Sequence, residues 1–255
     1  MSKLADLIRR ATRTEPAPIG FAPVSRQLPP TMVLVAFVGE RWAKGAADAV
    51  AAGADAVLLT GRPSEKELAE AVSAADGRPC GLIAGEASGE QASRLREAGL
   101  DFVVLEPQTP ASALLDEKLG FVLHLRDELT DTQLRVLDAL SLDALYLGQE
   151  TGRLTISRQT ELQRIGGLAR KALLLGVQPD AGQDDLRCLR EAGVALVGVD
   201  TKERAAVDAI TRLRGVIDGL PRRRKPRSEE RPSVSLPSAA AQHEHEEEEE
   251  EEALV

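Results

Sequence analysis

A short phrase that recurs four times along the 255-residue chain is the feature that most restricts its fold. In its full form the phrase is Ala-Gly-x-Asp followed by an apolar run, and it is degraded in the last two copies. Glycine can end a helix in the left-handed conformation without a steric penalty. A uniformly apolar run is typical of a strand that is buried on both faces of a parallel sheet. The phrase therefore predicts repeated helix–turn–strand junctions, and its copies start at Ala52, Ala98, Ser141 and Ala192.

Eight apolar runs, each about the usual length of a strand, divide the central part of the chain. Several of the stretches between them begin with a capping-box pattern, as at Ser64, Ser88 and Thr130. Strand–helix alternation repeated eight times predicts an α/β protein with a single (βα)8 TIM barrel over residues 31–220. An open doubly wound sheet is the alternative fold. The runs are Val33–Val38, Ala56–Thr60, Gly81–Gly85, Phe102–Glu106, Phe121–Leu125, Ala144–Gly148, Ala172–Val177 and Ala195–Asp200.

The recurring phrase precedes every second strand, which suggests a four-fold repeat of a two-strand unit. Three of its copies place an aspartate at the start of a strand, namely Asp55, Asp101 and Asp143. The strands of a barrel start at the face that serves stability rather than catalysis. We therefore expect a structural role for these aspartates.

The two ends of the chain differ in composition from the barrel. Residues 1–30 combine a short helix over residues 3–12 with a proline-rich, extended lead-in. Residues 221–255 contain a basic block, a Pro/Ser/Ala-rich stretch and an unbroken run of glutamates. Such a segment has too little apolar surface to offset the entropy of ordering, so a disordered C-terminal tail is expected. The tail is either a solvated segment or the docking site of a protein partner.

Charge and cysteine content restrict the cellular setting. A formal net charge of −9 argues against a nucleic-acid surface over the whole chain, because phosphate binding needs an excess of Lys and Arg on one face. No apolar run approaches the roughly 18 residues that are needed to cross a bilayer. Cys80 and Cys188 lack the spacing of a metal or redox pair, and we expect buried free thiols in a reducing cytoplasm.

Candidate catalytic residues are those that follow the apolar runs, because a barrel builds its active site where the strands end. Glu86 and Glu106 follow neighbouring strands. They could hold a Mg²⁺-like ion, or one could act as a general base beside a carbonyl. They could also cap the following helices or pair with Arg41, Arg62 and Arg126. These alternatives remain open from the residues alone.

His124 is the third candidate catalytic residue, because it lies near the end of the fifth run. A histidine that faces the barrel interior there could transfer protons. One that faces outward would instead form a hydrogen bond between the helices. Strand alternation does not decide between the two faces.

Several chemistries lack their usual signatures. No lysine lies within the eight runs, which disfavours a Schiff-base mechanism. No Ser/His/Asp or Cys/His grouping is apparent, and there is no phosphate-binding G-x-x-x-x-G-K-S/T loop.

The last quarter of the barrel, from Gly176-Val177-Gln178-Pro179-Asp180-Ala181-Gly182 to Val197-Gly198-Val199, resembles ribulose-phosphate-binding-type barrels. That group includes phosphoribosyl isomerases and indole-glycerol-phosphate synthases, and flavin-linked barrels have a similar ending. The resemblance implies a phosphate bound by backbone amides after strands seven and eight, near Gly182, Gly198 and Lys202. This sequence departs from the pattern at Gln178-Pro179-Asp180 and at Asp200-Thr201-Lys202-Glu203. Pro179 has no amide hydrogen to donate, and Asp180 and Asp200 would repel a phosphate.

Three functional hypotheses follow. The first is a cytoplasmic lyase or isomerase that acts on a small metabolite, which could be phosphorylated, with Glu86, Glu106 and His124 as acid/base groups. The second is an oxidoreductase barrel that binds a flavin or a nucleotide, with the cofactor phosphate near Gly182, Gly198 and Lys202. The third is a barrel without catalysis that serves as a scaffold through its charged tail. The sequence identifies neither a cofactor nor the oligomeric state.

Overall fold

The computed structural model of the protein describes residues 2–13, 30–85, 87–150, 152–201 and 206–221. Within these ranges eight parallel strands pair in sequence order and close into a barrel, because β8 also pairs with β1. Closure confirms the predicted (βα)8 barrel and excludes the open sheet. The strands are β1 (Val33–Val38), β2 (Ala56–Leu59), β3 (Cys80–Gly85), β4 (Phe102–Leu105), β5 (Gly120–His124), β6 (Ala144–Gln149), β7 (Ala172–Gly176) and β8 (Val194–Asp200).

The outer layer consists of helices that begin where the sequence predicts. All three predicted capping boxes are present, with the side chains of Ser64, Ser88 and Thr130 each accepting a hydrogen bond from the backbone three residues later. The α-helices are α1 (Lys3–Thr12), α2 (Trp42–Ala51), α3 (Glu65–Ala74), α4 (Gly89–Glu97), α5 (Asp131–Val136), α6 (Ile156–Ala169), α7 (Gln183–Glu191) and α8 (Ala206–Asp218).

The connection between β4 and β5 differs from the other crossovers. It contains a 3₁₀ segment, Ala111–Leu115, in place of an α-helix. Pro107 and Pro110 lie in this short connection. Proline removes a backbone donor and restricts the residue before it, so a full helix does not form here.

The interior of the barrel is filled by the side chains that alternate inward along each strand. Two aromatic rings lie against glycines of the neighbouring strand: a Cβ on Gly81 would lie 2.4 Å from the ring of Phe102, and one on Gly198 would lie 2.1 Å from the ring of Phe37. Real Cβ atoms do not approach so closely, so these strand positions require glycine. In this way a barrel with few aromatic residues accommodates two large rings.

The end of the barrel where the strands start is closed by α1. Leu4 and Ile8 of this helix pack in the same buried cluster as the inward side chains of the strands. The backbone amides of Lys3 and Leu4 donate to the two carboxylate oxygens of Asp101, at 2.7 and 2.8 Å. The Ser2 hydroxyl donates to Asp143 at 2.8 Å. Burial raises the pKa of the Asp143 carboxyl.

The third aspartate of the repeated phrase acts within the barrel wall. Asp55 accepts a hydrogen bond from the backbone amide of Leu34 at 2.9 Å and one from Arg214 of α8 at 2.8 Å. The same sequence position is thus used for two purposes: two copies hold the N-terminal helix and one joins α8 to β1. The expected structural role agrees with these contacts.

Two further sequence predictions were tested by the structure. Cys80 is buried, as expected, and burial raises the pKa of its thiol to about 12. The prediction is wrong for Cys188, which is exposed, because the buried face of α7 carries Leu186 and Leu189 instead.

Among the described residues, no helix is both long and apolar enough to cross a membrane. The predicted lead-in and the tail beyond residue 221 lie outside the described residues.

Candidate active site at the barrel mouth

The end of the barrel at which the strands finish, named the mouth, receives polar side chains by strand alternation. Val104 and Val122 are inward residues of β4 and β5. Because side chains alternate along a strand, Glu106 and His124, two residues further on, face the same way. His124 therefore faces the interior, which settles the alternative that the sequence left open.

Glu106, His124 and Arg126 form one hydrogen-bonded group at the mouth. His124 Nδ1 lies 3.1 Å from Glu106 Oε1. Arg126 donates from Nε to Glu106 Oε2 and from Nη2 to Oε1, both at 2.8 Å, in a bidentate arrangement. The side chains of Glu106 and His124 are only 14% and 16% exposed, whereas that of Arg126 is 64% exposed. The group thus runs from the solvent-exposed rim towards the interior of the barrel.

The charge of Glu106 determines the tautomer of His124. Hydrogen bonds from Arg126, together with those from His124, hold the pKa of the Glu106 carboxyl below its usual value, although burial acts in the opposite direction. Glu106 is therefore ionised at neutral pH and can only accept hydrogen bonds. The proton between the two residues consequently belongs to His124 Nδ1. In the neutral imidazole this leaves Nε2 as a base with a free lone pair.

Tyr146 belongs to the same site, although the sequence analysis did not identify it. It pairs with His124 in the register of β5 and β6, and the two ring centroids are 4.6 Å apart at an interplanar angle of 30°. The Phe37 ring contacts Tyr146 edge-on, with centroids 5.7 Å apart. Burial and the negative charge of Asp200 raise the pKa of the Tyr146 phenol, so its hydroxyl stays protonated at neutral pH. Strand alternation combined with the register of β5 and β6 is the signal that would have identified it.

The residues predicted to hold a cofactor phosphate are used largely within the chain. The Gly182 amide donates to the side chain of Asp185 at 3.0 Å. The Gly198 carbonyl accepts from the Val177 amide at 2.7 Å, and the Gly198 Cα faces the Phe37 ring. The contacts do not bring Gly182 and Gly198 together with the Glu106 group, and their ligand role stays a prediction.

The end of β8 is also closed by internal hydrogen bonds. The amide and the hydroxyl of Thr201 both donate to the Phe37 carbonyl, at 2.9 and 2.8 Å. Glu86 and Lys202, a predicted acid/base residue and a predicted phosphate ligand, lie outside the described residues. Where the structure does describe the chain, no three His, Cys, Asp or Glu side chains come together in a way that would hold a metal ion.

The fold and the mouth together define a (βα)8 barrel with a partly buried Glu–His pair where such barrels carry out their chemistry. No family defined by sequence matches the chain, and no curated protein sequence matches it. Solved structures do match in fold. A 3-hexulose-6-phosphate synthase is 19% identical, with a TM-score of 0.56 over 73% of this chain and 100% of the other.

Two further structures show the same similarity. KGPDC from Streptococcus mutans is 10% identical with a TM-score of 0.60, over 73% of this chain and 97% of its own. A mutant tryptophan synthase α-subunit from Pyrococcus furiosus is 12% identical with a TM-score of 0.59, over 75% and 99% of the two chains. At such identities the likeness is one of fold, and it agrees with the closed barrel that the eight strands form.

Proposed function

We propose that the protein is an enzyme, a lyase or an isomerase, that moves a proton on a small phosphorylated carbonyl compound at the barrel mouth. The observation that carries the proposal is the hydrogen bond between Glu106 and His124, with Arg126 holding the carboxylate. A histidine whose Nδ1–H is held by a carboxylate has the tautomer and orientation of a general base.

The three residues have distinct proposed roles. His124 Nε2 accepts a proton from a substrate carbon, and the imidazolium that forms lies beside the Glu106 carboxylate, which balances its charge. Because both side chains are mostly buried, this interaction is stronger than it would be in water. Arg126 keeps Glu106 ionised and fixed in place. The same imidazolium can return the proton to a different atom of the substrate, as an isomerase or a lyase requires.

The converging polar groups favour catalysis over the scaffold hypothesis, which predicts a mouth without such groups. The backbone amides of Gly182 and Thr201 already donate hydrogen bonds within the chain, so they are not available to a flavin phosphate. Flavin binding after β7 and β8 is therefore the weaker alternative. Both unpaired thiols are compatible with the cytoplasmic setting that we propose for this activity. The phosphorylated nature of the substrate is proposed from the similarity in fold to a synthase whose name contains a sugar phosphate, the 3-hexulose-6-phosphate synthase.

We further propose that the phosphate is bound on the opposite side of the mouth, at the loops after β1 and β2. Among the described residues, Arg41 and Arg62 of these loops are exposed and have no carboxylate partner. Arg41 has a left-handed backbone conformation, with φ of 48°, which residues other than glycine rarely adopt. Trp42 joins the two loops by donating from Nε1 to the Thr60 carbonyl at 2.9 Å. The exposed Glu40 directly precedes Arg41, and its carboxylate would repel a phosphate bound there.

Replacement of Arg62 by alanine is accordingly expected to raise KM about tenfold and to leave kcat nearly unchanged, because a contact to the phosphate persists unchanged through the reaction. Steady-state kinetics measures both constants on whichever compound proves to be a substrate in the exchange experiment that follows. Arg78→Ala is the matched control, since Arg78 is also exposed but lies in the turn before β3, at the far end of the barrel. An equal rise in KM for both variants would contradict the proposal.

The proposed chemistry is tested by proton exchange with solvent. The full chain is incubated in D₂O with a panel of phosphorylated carbonyl compounds, including D-ribulose 5-phosphate and dihydroxyacetone phosphate, and deuterium uptake is followed by NMR. We expect uptake at a carbon next to the carbonyl of at least one compound. The absence of uptake across the panel would count against the proposal.

The variant Glu106→Gln tests the role of the Glu106 carboxylate in the same exchange experiment. Loss of a charged hydrogen-bond partner is worth about 1.5–3 kcal/mol, so the exchange rate is expected to fall roughly ten- to hundredfold. The melting temperature is expected to change little, because the lost ion pair with Arg126 is mostly exposed on the arginine side. A large loss of stability would instead assign Glu106 to the structure.

A further inference from the structure

The hydroxyl of Tyr146 is a hydrogen-bond donor at the mouth. The residue is only 9% exposed, yet no described residue forms a hydrogen bond with its hydroxyl. The Tyr146 oxygen is not one of the fully enclosed side-chain atoms that lack a partner, so the hydroxyl reaches the solvent of the mouth while its ring is enclosed. Tyr146 is the single tyrosine of the chain. Its hydroxyl is therefore available to a bound molecule that enters the mouth.

The surroundings of Tyr146 fix its ring beside the proposed base. The residue belongs to the inward cluster of the barrel and lies opposite His124 in the register of β5 and β6. The two rings lie 4.6 Å apart at 30°, and Phe37 contacts the phenol edge-on. A ring with contacts on its face and its edge is preorganised, so a group bound by its hydroxyl is placed next to the imidazole.

We infer that Tyr146 is a catalytic residue whose hydroxyl donates a hydrogen bond to the carbonyl oxygen of the substrate, while His124 acts on the adjacent carbon. The inference rests on the proposed function and specifies its substrate class: aldehydes or ketones with a proton on the carbon next to the carbonyl. Such compounds need two groups side by side, a base for the carbon and a donor for the oxygen.

The step balances within these groups. The C–H bond breaks, its proton moves to His124 Nε2, and its electron pair forms the carbon–carbon double bond of an enolate. The π electrons of the carbonyl move to its oxygen, which becomes negative and accepts the hydrogen bond from Tyr146. The imidazolium is balanced by the Glu106 carboxylate. Where the adjacent carbon carries a hydroxyl group, the proton of that hydroxyl passes to the former carbonyl oxygen, His124 returns its proton to the former carbonyl carbon, and an isomerase reaction is complete. Where the next carbon carries a leaving group, that group departs with its bonding electron pair, the carbonyl re-forms, the leaving group takes the proton from His124, and a lyase reaction is complete.

Tyr146→Phe removes only the oxygen and keeps the ring contacts with His124 and Phe37. If the hydroxyl holds the developing oxyanion, the rate of exchange into D₂O is expected to fall by about a hundredfold, the usual effect of losing one such donor. A residue with only a structural role would change the melting temperature rather than the rate. Exchange by the Phe variant at the rate of the unmodified protein would overturn the inference.

A second readout does not depend on turnover. Labelling with [ζ-¹³C]tyrosine gives one phenol carbon signal, because the chain contains one tyrosine. Addition of phosphoglycolohydroxamate, whose planar hydroxamate resembles an enediolate, is expected to shift this signal in the unmodified protein and in His124→Gln alike. A signal that stays in place at saturating analogue would overturn the role of Tyr146.

The two readouts separate the possible failures. Undiminished exchange in His124→Gln would overturn the proposed function, and a shifted phenol signal would still support the donor role of Tyr146. If exchange is lost in His124→Gln but is normal in Tyr146→Phe, His124 keeps its role as the base and the donor role of Tyr146 is wrong. No exchange and no shift with any compound would overturn both.

Discussion

Replacement of His124 by glutamine is expected to lower the rate of solvent exchange by about a thousandfold, within the range typical of general acid–base catalysis. Glutamine has no basic nitrogen, so it cannot take the proton that Nε2 accepts. Its side-chain amide can still donate to Glu106, and the melting temperature should therefore stay close to that of the unmodified protein. Deuterium uptake measured by NMR gives the rate, and calorimetry gives the melting temperature.

The chain supplies a matched control for this experiment. Its other two histidines, His243 and His245, lie in the C-terminal segment outside the described residues and were not predicted to take part in the site. The double variant His243→Gln with His245→Gln is expected to exchange at the unmodified rate. Equal losses in the two variants would show that histidine content, rather than the Glu106–His124 pair, explains the effect.

The barrel could be predicted from the sequence because its junctions are encoded locally. Glycine-terminated helices and serine or threonine capping boxes specify where each helix ends and begins, independently of distant contacts. The connection of residues 106–119 was predicted less well. There the expected strand–helix alternation gave way to a 3₁₀ segment, because two prolines and a short connection leave no room for a helix of full length.

The site could be predicted only where it lies at strand ends. Glu106 and His124 were identified because residues at the ends of barrel strands meet at one mouth. The direction of His124 could not be read from its strand, since Phe121-Val122-Leu123-His124-Leu125 is apolar on both faces. Tyr146 was missed for a related reason: within a buried strand an aromatic residue has the same appearance as core, and only the register with β5 places it beside the imidazole.

The repeated phrase and the mouth residues divide the molecule into two ends with different tasks. The aspartates of the phrase hold α1 and α8 at the end where the strands start. The proposed acid–base group lies at the opposite end of the same strands. Substitutions at the end where the strands start should therefore lower stability without changing the chemistry at the mouth. Asp55 is the residue that tests this separation most directly.

Asp55→Ala is expected to lower the free energy of unfolding by about 3–5 kcal/mol, the usual cost of removing one partner of a buried ion pair. The change leaves the Leu34 amide without its 2.9 Å side-chain acceptor and leaves the mostly buried Arg214 guanidinium without the carboxylate 2.8 Å away. For a protein of this size the melting temperature should fall by about 10 °C. Calorimetry and urea unfolding measure both quantities.

Asp218→Ala is the matched control, because Asp218 binds the same guanidinium at 2.6 Å but its side chain is 60% exposed. An exposed pair contributes at most about 1 kcal/mol, so this variant should remain near the unmodified stability. Combining Asp55→Ala with Arg214→Met removes the uncompensated charge and should recover part of the loss. Similar losses for the Asp55 and Asp218 variants would mean that burial does not distinguish the two pairs, and a lower exchange rate in folded Asp55→Ala would mean that the two ends of the barrel are coupled.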